Sequence, residues 1–356
     1  MKKPAFKPGI GVYSWKDEIH IELYPVKKRL EFTADTTGKK VITLLNGQRS
    51  LQDILLEIQE NNQRYTLEQL SNLISQLDQL NLIYDADTYP DEPTCLSRQI
   101  DYFNMYPSPI KDITQFMDTL DNLRVTIIGC GGLGTAIFEE LVRCGITRIT
   151  IVDDDVIERN NLSNQSVYTL KDVGHLKVEV LKHFAEQLNP NSTISSLSDK
   201  VTKENIDELT KKSHFVFSCA DTPSVDELSK TVSESCFKFK VPHIVGGGYA
   251  GHRAALGMFI IPYQTLCWDC YLQSDASGDA HKQELISPKN RMSFYPLIAM
   301  VASIQVGEFF RHYTERKHYV LTNTFSELSF DTMTISHRKF AQSSHCLKCS
   351  QLQAKS

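Results

Sequence analysis

The chain has 356 residues, enough for two domains that each bury a core, which excludes a short peptide or a disulfide-stapled miniprotein. Lys and Arg number 38 against 43 Asp and Glu, a formal charge of −5 with a pI of 6.1, so no global field attracts a polyanion and nucleic acid is set aside as a partner. Hydrophobic residues make up 41% and charged residues 23% at a mean hydropathy of −0.27, the composition of a folded chain rather than a disordered one.

From the N-terminus, MKKPAFKPGIGVYSW carries lysines but no apolar run behind them, and no stretch of 18 apolar residues follows anywhere. The expectation is a cytoplasmic protein with no membrane partner. Residues from Ile10, Ile19 and Leu30 alternate as short antiparallel strands. Helical spacing then takes over: Val41, Leu44 and Leu45 end one segment at Asn46-Gly47, Ser50 caps a second carrying Ile54, Leu55 and Ile58, and Thr66 opens a third carrying Leu70, Leu73, Ile74 and Leu77. A strand from Leu80 to Tyr84 closes what reads as an α+β winged-helix domain over residues 1–88. The acidic, proline-containing stretch DADTYPDEPT reads as linker, assigned to 89–97, with a second domain over 98–356.

In that second domain a buried strand at Arg124, helix spacing from Thr135 to Cys144 and a strand at Ile149 give strand, helix, strand. Further strands are expected at Ser192 to Leu197, His214 to Cys219 and from Pro242, which predicts a largely parallel, doubly wound α/β sheet. Between the first strand and helix stand Gly129, Gly131, Gly132 and Gly134, a G-x-G-x-x-G run whose backbone can close on a phosphate at the positive helix end. Asp153, at the end of the next strand, can hold ribose hydroxyls. Up to this point a nicotinamide-dependent dehydrogenase fits.

The residues after Asp153 do not suit a dehydrogenase. Asp153, Asp155, Ile157, Asn160, Asn161, Leu162 and Gln165 follow the pattern D-x-D-x-V-x-x-S-N-L-x-R-Q, Val173 to Lys177 follows V-G-x-x-K, and Cys219-Ala-Asp221 places an aspartate at a strand end. In this order they resemble the ThiF/MoeB superfamily, the fold of ubiquitin-activating enzymes, which adenylate a carboxylate with ATP and Mg2+. The resemblance covers residues 95–349 and implies a Rossmann-like adenylation domain. It implies that Lys177 neutralises triphosphate charge, Asn161 and Gln165 position it, Asp155 joins Asp153 in the nucleotide site, and Asp221 holds Mg2+. Arg98 resembles the arginine that reaches into a partner subunit's site, which implies a homodimer. Where the family has arginine before the glutamine, this chain has Asn164, with Arg159 five residues earlier as a substitute cation.

Nine cysteines, with no secretory segment, point to metal or thiol chemistry rather than a disulfide framework. Cys267, Cys270, Cys346 and Cys349 form two C-x-x-C pairs able to present four thiolates to a structural Zn2+, tying the tail back to the core. Cys130, Cys144 and Cys219 read as core thiols. Residues 271–295 contain no cysteine for a carrier-protein thioester, but Asp275, Asp279, His281, Lys282, Glu284, Lys289 and Arg291 make them polar enough for a flap over a substrate.

Phe6-Lys-Pro-Gly and the run from Leu44 to Ile54 resemble the precursor-peptide recognition element of ribosomal-peptide maturation systems, which takes up a leader peptide by β-augmentation. Joined to an ATP-dependent activator, it resembles the microcin C and pantocin A type of peptide maturase. The expected activity is therefore adenylation of a carboxylate or amide of a ribosomally made precursor peptide. Two other readings stay open: an inactive leader-presenting partner of a separate cyclodehydratase, which Asn164 favours, and an adenylyltransferase for a sulfur-carrier protein, which leaves the N-terminal domain unexplained.

Overall fold

The computed structural model describes residues 1–24, 27–89, 94–105, 113–275, 292–314, 318–343, 346, 348 and 349. Chain contacts divide it into two compact units, Met1–Thr119 and Leu120–Ser356.

The N-terminal unit begins with β1 (Pro4–Phe6), β2 (Ile10–Trp15), β3 (Glu18–Leu23) and β4 (Lys28–Thr33), the last three forming an antiparallel sheet in that order. Alternation puts Ile19 and Ile21 of β3 almost wholly out of solvent, against α1 (Thr36–Leu44), α2 (Leu51–Gln59) and α3 (Leu67–Gln79). Both helix starts read from the sequence carry reciprocal caps: Ser50 with Asp53, and Thr66 with Gln69. Such a box satisfies two orphan N–H groups and contributes about 1 kcal/mol.

The closing strand, β5 (Ile83–Asp85), starts three residues later than expected because the chain turns through Asn81 at φ 58°. It pairs antiparallel with β1, a strand the alternation had not revealed in so short a segment. Asp85 is thereby strand rather than linker, and its carboxylate accepts from the N–H groups of Lys2 and Lys3. Of the expected linker, residues 90–93 lie outside the described residues. α4 (Ser97–Asn104) follows, and the buried Lys7 amine donates to Asn81 Oδ1 and the Asn104 carbonyl, each at 2.7 Å. Burial pulls its pKa down to about 8.

After α5 (Ile113–Asn122) the second unit is built from β6 (Arg124–Ile128), α6 (Gly132–Arg143), β7 (Arg148–Val152), α7 (Lys177–Leu188), β8 (Thr193–Leu197), α8 (Ile206–Thr210), β9 (Phe215–Ser218), α9 (Val225–Phe239), β10 (His243–Ala250), β11 (Arg253–Ile260), α10 (Trp268–Asp275), α11 (Tyr295–Tyr313), β12 (Thr324–Ser329) and β13 (Thr334–Lys339). They form one eight-stranded sheet, ordered β13-β12-β11-β10-β9-β6-β7-β8. From β8 to β10 the strands are parallel, as expected; β11 to β13 extend the sheet antiparallel and were not foreseen.

The chain moves outward from β6 to β7 to β8, then returns across β6 to β9 and β10. Since crossovers between parallel strands are right-handed, the opposite directions of travel imply one face for α6 and α7, which contact each other, and the other face for α8 and α9, which also do. The direction reverses between β6 and β9, and the crevice beyond their carboxyl ends is where a doubly wound sheet binds ligands. Phe215, Phe217, Phe259 and Phe309 fill the core beneath, all essentially without exposure. No helix among the described residues is long and apolar enough to cross a membrane.

Candidate active site

A cavity of about 870 Å3 opens at that reversal, and its walls are the carboxyl ends of β6, β7, β9 and β10. It gathers Gly129, Gly131, Gly132, Asp153, Asp155, Asn164, Gln165, Lys177 and Asp221, residues spread over more than ninety positions of sequence.

The glycine run has a distinct use at each position. Gly129 takes φ 90°, which favours glycine, as the chain leaves β6. Gly131 has nothing within 4 Å of the place a Cβ would occupy, so the backbone is bare toward the cavity at the start of α6, whose first N–H groups have no side-chain cap. Gly134 is not part of the cavity lining. A Cβ there would lie 1.9 Å from the Gly129 carbonyl oxygen, so this glycine lets α6 pack on the strand-to-helix turn. Gly134→Ala is expected to shift that backbone and lower stability by about 1–3 kcal/mol, read as a lower midpoint in urea unfolding.

Asp153 is tied into this turn. One carboxylate oxygen accepts from the Cys130 N–H at 2.5 Å and the other from the Asp155 N–H at 2.9 Å. Burial raises its pKa against the opposing pull of Lys177. Lys177, the first residue of α7, has a side chain only 6% exposed, its ammonium 2.7 Å from Asp155 and 3.9 Å from Asp153. A buried cation between two carboxylates, beside a bare helix terminus, suits a polyanion paired with a divalent cation.

In the cavity lining, two buried acceptors have no partner among the described residues: Oδ1 of Asn164 and Oε1 of Gln165. Asn164 donates from its nitrogen to Ser293 Oγ at 3.0 Å. Orphaned amide oxygens beside a roomy cavity call for hydrogen-bond donors from outside the protein, such as hydroxyl or amino groups. Asp221 stands exposed at the cavity edge, just past β9. Together the bare helix start, the unpartnered amides and the Lys177 charge fit a nucleotide.

Asn161 is not brought into the lining. Its Oδ1 accepts from the Glu158 N–H at 2.9 Å and its nitrogen donates to Asn160, so it shapes the loop that carries Asn164 and Gln165. Arg159 is exposed and also absent from the lining, and Arg98 is exposed on α4 in the N-terminal unit. Among the expected flap residues, Asp279, His281, Lys282, Glu284, Lys289 and Arg291 lie outside the described residues, as does the Asp275 side chain. Sequence reading passed over Gly247, Gly248 and Tyr249, which line the cavity from β10. Their signal was the unbroken Gly246-Gly-Gly run at the carboxyl end of a strand.

The four cysteines converge as expected. Their sulfurs all lie within 4.8 Å of one another and all four residues are buried. The Cys267 and Cys346 sulfurs are 3.4 Å apart, and those of Cys270 and Cys349 are 3.7 Å apart. Four thiols at this spacing, with N–H groups of Cys267 and Ser343 directed at the Cys349 and Cys270 sulfurs, suit a closed tetrahedral Zn2+ site. Of the three expected core thiols only Cys130 is fully buried; Cys144 and Cys219 are half-buried, Cys219 lining the cavity, and burial pushes the Cys130 and Cys219 thiols well up and that of Cys144 to about 11.

The ThiF family profile matches residues 97–350. The chain is 28% identical over 199 residues to the adenylyltransferase and sulfurtransferase UBA4 of Scheffersomyces stipitis, covering 55% of this chain and 44% of that protein. It is 25% identical over 236 residues to the molybdopterin-synthase adenylyltransferase of Salmonella typhimurium, 66% of this chain and 90% of that one. The chain thus spans less than half of the first relative's length and most of the second's. Among solved structures, E. coli MccB with AMPCPP and MccA superposes at a TM-score of 0.74, with 19% identity over 98% of this chain and 100% of that one. PaaA superposes at 0.71, with 18% identity over 94% and 100%. At such identity the structural likeness concerns the fold, a mixed α/β architecture common to all three. The sequence match, extending over most of the chain and over every residue of the cavity lining, places this chain in the ThiF family.

Proposed function

We propose that this protein uses ATP to activate a carboxylate or amide of a ribosomally made precursor peptide by adenylation. Residues 1–88 are the peptide-recognition domain, 89–97 the linker and 98–356 the adenylating domain. The observation that carries the reading is the fold likeness to MccB, which extends through the N-terminal unit as well as the cavity. MccB itself has been solved in complex with N-formylated MccA.

In this reading the phosphates rest on the start of α6, where bare N–H groups and the helix dipole favour negative charge. Lys177 neutralises part of that charge, Gln165 donates to it from its amide nitrogen, and Asn161 acts by shaping the loop. Asp153 and Asp155 bound the nucleotide side, and Asp221 would hold Mg2+, which would supply neutralisation of phosphate charge when bound. A peptide oxygen attacks that α-phosphorus in line, an O–P bond forms, and the bond to pyrophosphate breaks. Zn2+ held by the four cysteines is structural, Arg98 completes the site of a partner subunit in a homodimer, and the setting is cytoplasmic.

A second reading, a sulfur-carrier adenylyltransferase, is supported by the relative that bears that name, the sulfur carrier protein ThiS adenylyltransferase of Bacillus subtilis. Pyrophosphate release separates the two. The proposal expects purified protein with Mg-ATP to release pyrophosphate on addition of short peptides encoded beside its gene and not on addition of a sulfur-carrier protein ending in glycine. The reverse result overturns it.

A further inference from the structure

β10 and β11 are bent at one point. Val245 pairs with Met258 and Gly247 with Leu256, but between them Gly246 and Gly257 face each other unpaired, at φ 72° and 81°. Gly246 donates its N–H to Ser229 Oγ instead. The ladder resumes beyond the kink, and its next residues, Gly247, Gly248 and Tyr249, enter the cavity wall.

This directs Tyr249 over the start of α6. A Cβ built on Gly132 would meet the Tyr249 hydroxyl at 2.7 Å and the Asn164 backbone oxygen at 3.1 Å, so phenol and asparagine flank the same helix terminus. The hydroxyl has no hydrogen-bond partner among the described residues. Burial first, and then the charge of Asp221, raise the phenol pKa, which keeps the proton on and the group a donor. Asn164, whose amide nitrogen is turned to Ser293, stands where the family pattern has a fixed positive charge, so this corner of the site has lost a cation.

We propose that Tyr249 is a phosphate-binding residue whose hydroxyl donates a hydrogen bond to an oxygen of the nucleotide phosphate seated on the α6 N-terminus, serving in place of the arginine that Asn164 replaces. The inference rests on the nucleotide reading above. A neutral donor differs from guanidinium in reach and charge: it gives one directed bond and leaves the local field to Lys177 and the helix dipole.

The test is calorimetric binding of three probes with Mg2+ present: α,β-methylene ATP, inorganic tripolyphosphate and adenosine. Tyr249→Phe keeps the ring over Gly132 and removes only the donor. The expected result is a loss of about 10- to 100-fold in affinity for the two phosphate probes, the size of one hydrogen bond to a charged group, with adenosine affinity unchanged. Equal affinities for wild type and variant overturn the role of Tyr249 while leaving the nucleotide site standing. A parallel loss for adenosine overturns it too, by making the residue merely structural. A wild-type protein that binds neither α,β-methylene ATP nor adenosine overturns the nucleotide reading itself.

Discussion

Asp221→Ala is expected to reduce ATP turnover at least about a thousandfold while leaving peptide affinity within error of wild type. Asp221 is an exposed carboxylate immediately after β9, at the mouth of the cavity, and its side chain makes no hydrogen bond or ion pair among the described residues. Its removal therefore leaves the β9 core of Phe215 and Phe217 intact, and melting temperature should be unchanged. The proposed peptide site lies in the other compact unit, built from β1 to β5 and α1 to α3. Turnover and peptide binding, followed by pyrophosphate release and by calorimetry, should separate completely. Equal loss of both would show that one site performs both tasks and would remove the two-unit division of labour.

Metal removal is expected to act on stability before chemistry. Structural zinc sites contribute on the order of 10–16 kcal/mol in small domains, and losing even about 5 kcal/mol here would lower the melting temperature by roughly 10–20 °C. Cys349→Ser should reproduce most of that drop, because it leaves three thiols and a buried hydroxyl where Cys267, Cys270 and Cys346 converge. The damage should then spread along a definite path. Trp268, between the first two cysteines, packs so closely on Gly246 that a Cβ there would meet its ring at 2.3 Å, and Gly246 precedes the cavity residues of β10. Nucleotide affinity should fall in step with the fraction unfolded. Chelated protein that melts normally yet turns over no ATP would mean that the metal serves the reaction.

The parts legible in the sequence were those whose physics is local. Periodicity exposed α1 to α3 because each buries one stripe, and Ser50 and Thr66 marked two of their starts through capping chemistry. The glycine run and the carboxylate of Asp153 were legible because a strand, a tight turn and a helix fall within one short segment. What escaped depends on tertiary pairing. β1 is three residues long and exists only because β5 returns beside it, and β11 to β13 carry little apolar alternation, β13 being exposed along its whole length. Gly134 looked like a phosphate ligand, since the motif does not distinguish a glycine facing the cavity from one beneath a carbonyl oxygen. Asn161 matched a pattern but caps its own loop, a distinction that needs coordinates. Tyr249 was missed because its position follows from a kink at two glycines on different strands.

The most direct test of the central claim is mass spectrometry of the purified protein incubated with Mg-ATP and the short peptides encoded beside its gene, following nucleotide and peptide masses together. The account predicts pyrophosphate formed from ATP together with either free AMP and a peptide that has lost water, or a peptide heavier by the AMP group it retains. Tight peptide binding with ATP left intact would contradict it and would assign the protein instead as a leader-presenting partner of a separate enzyme.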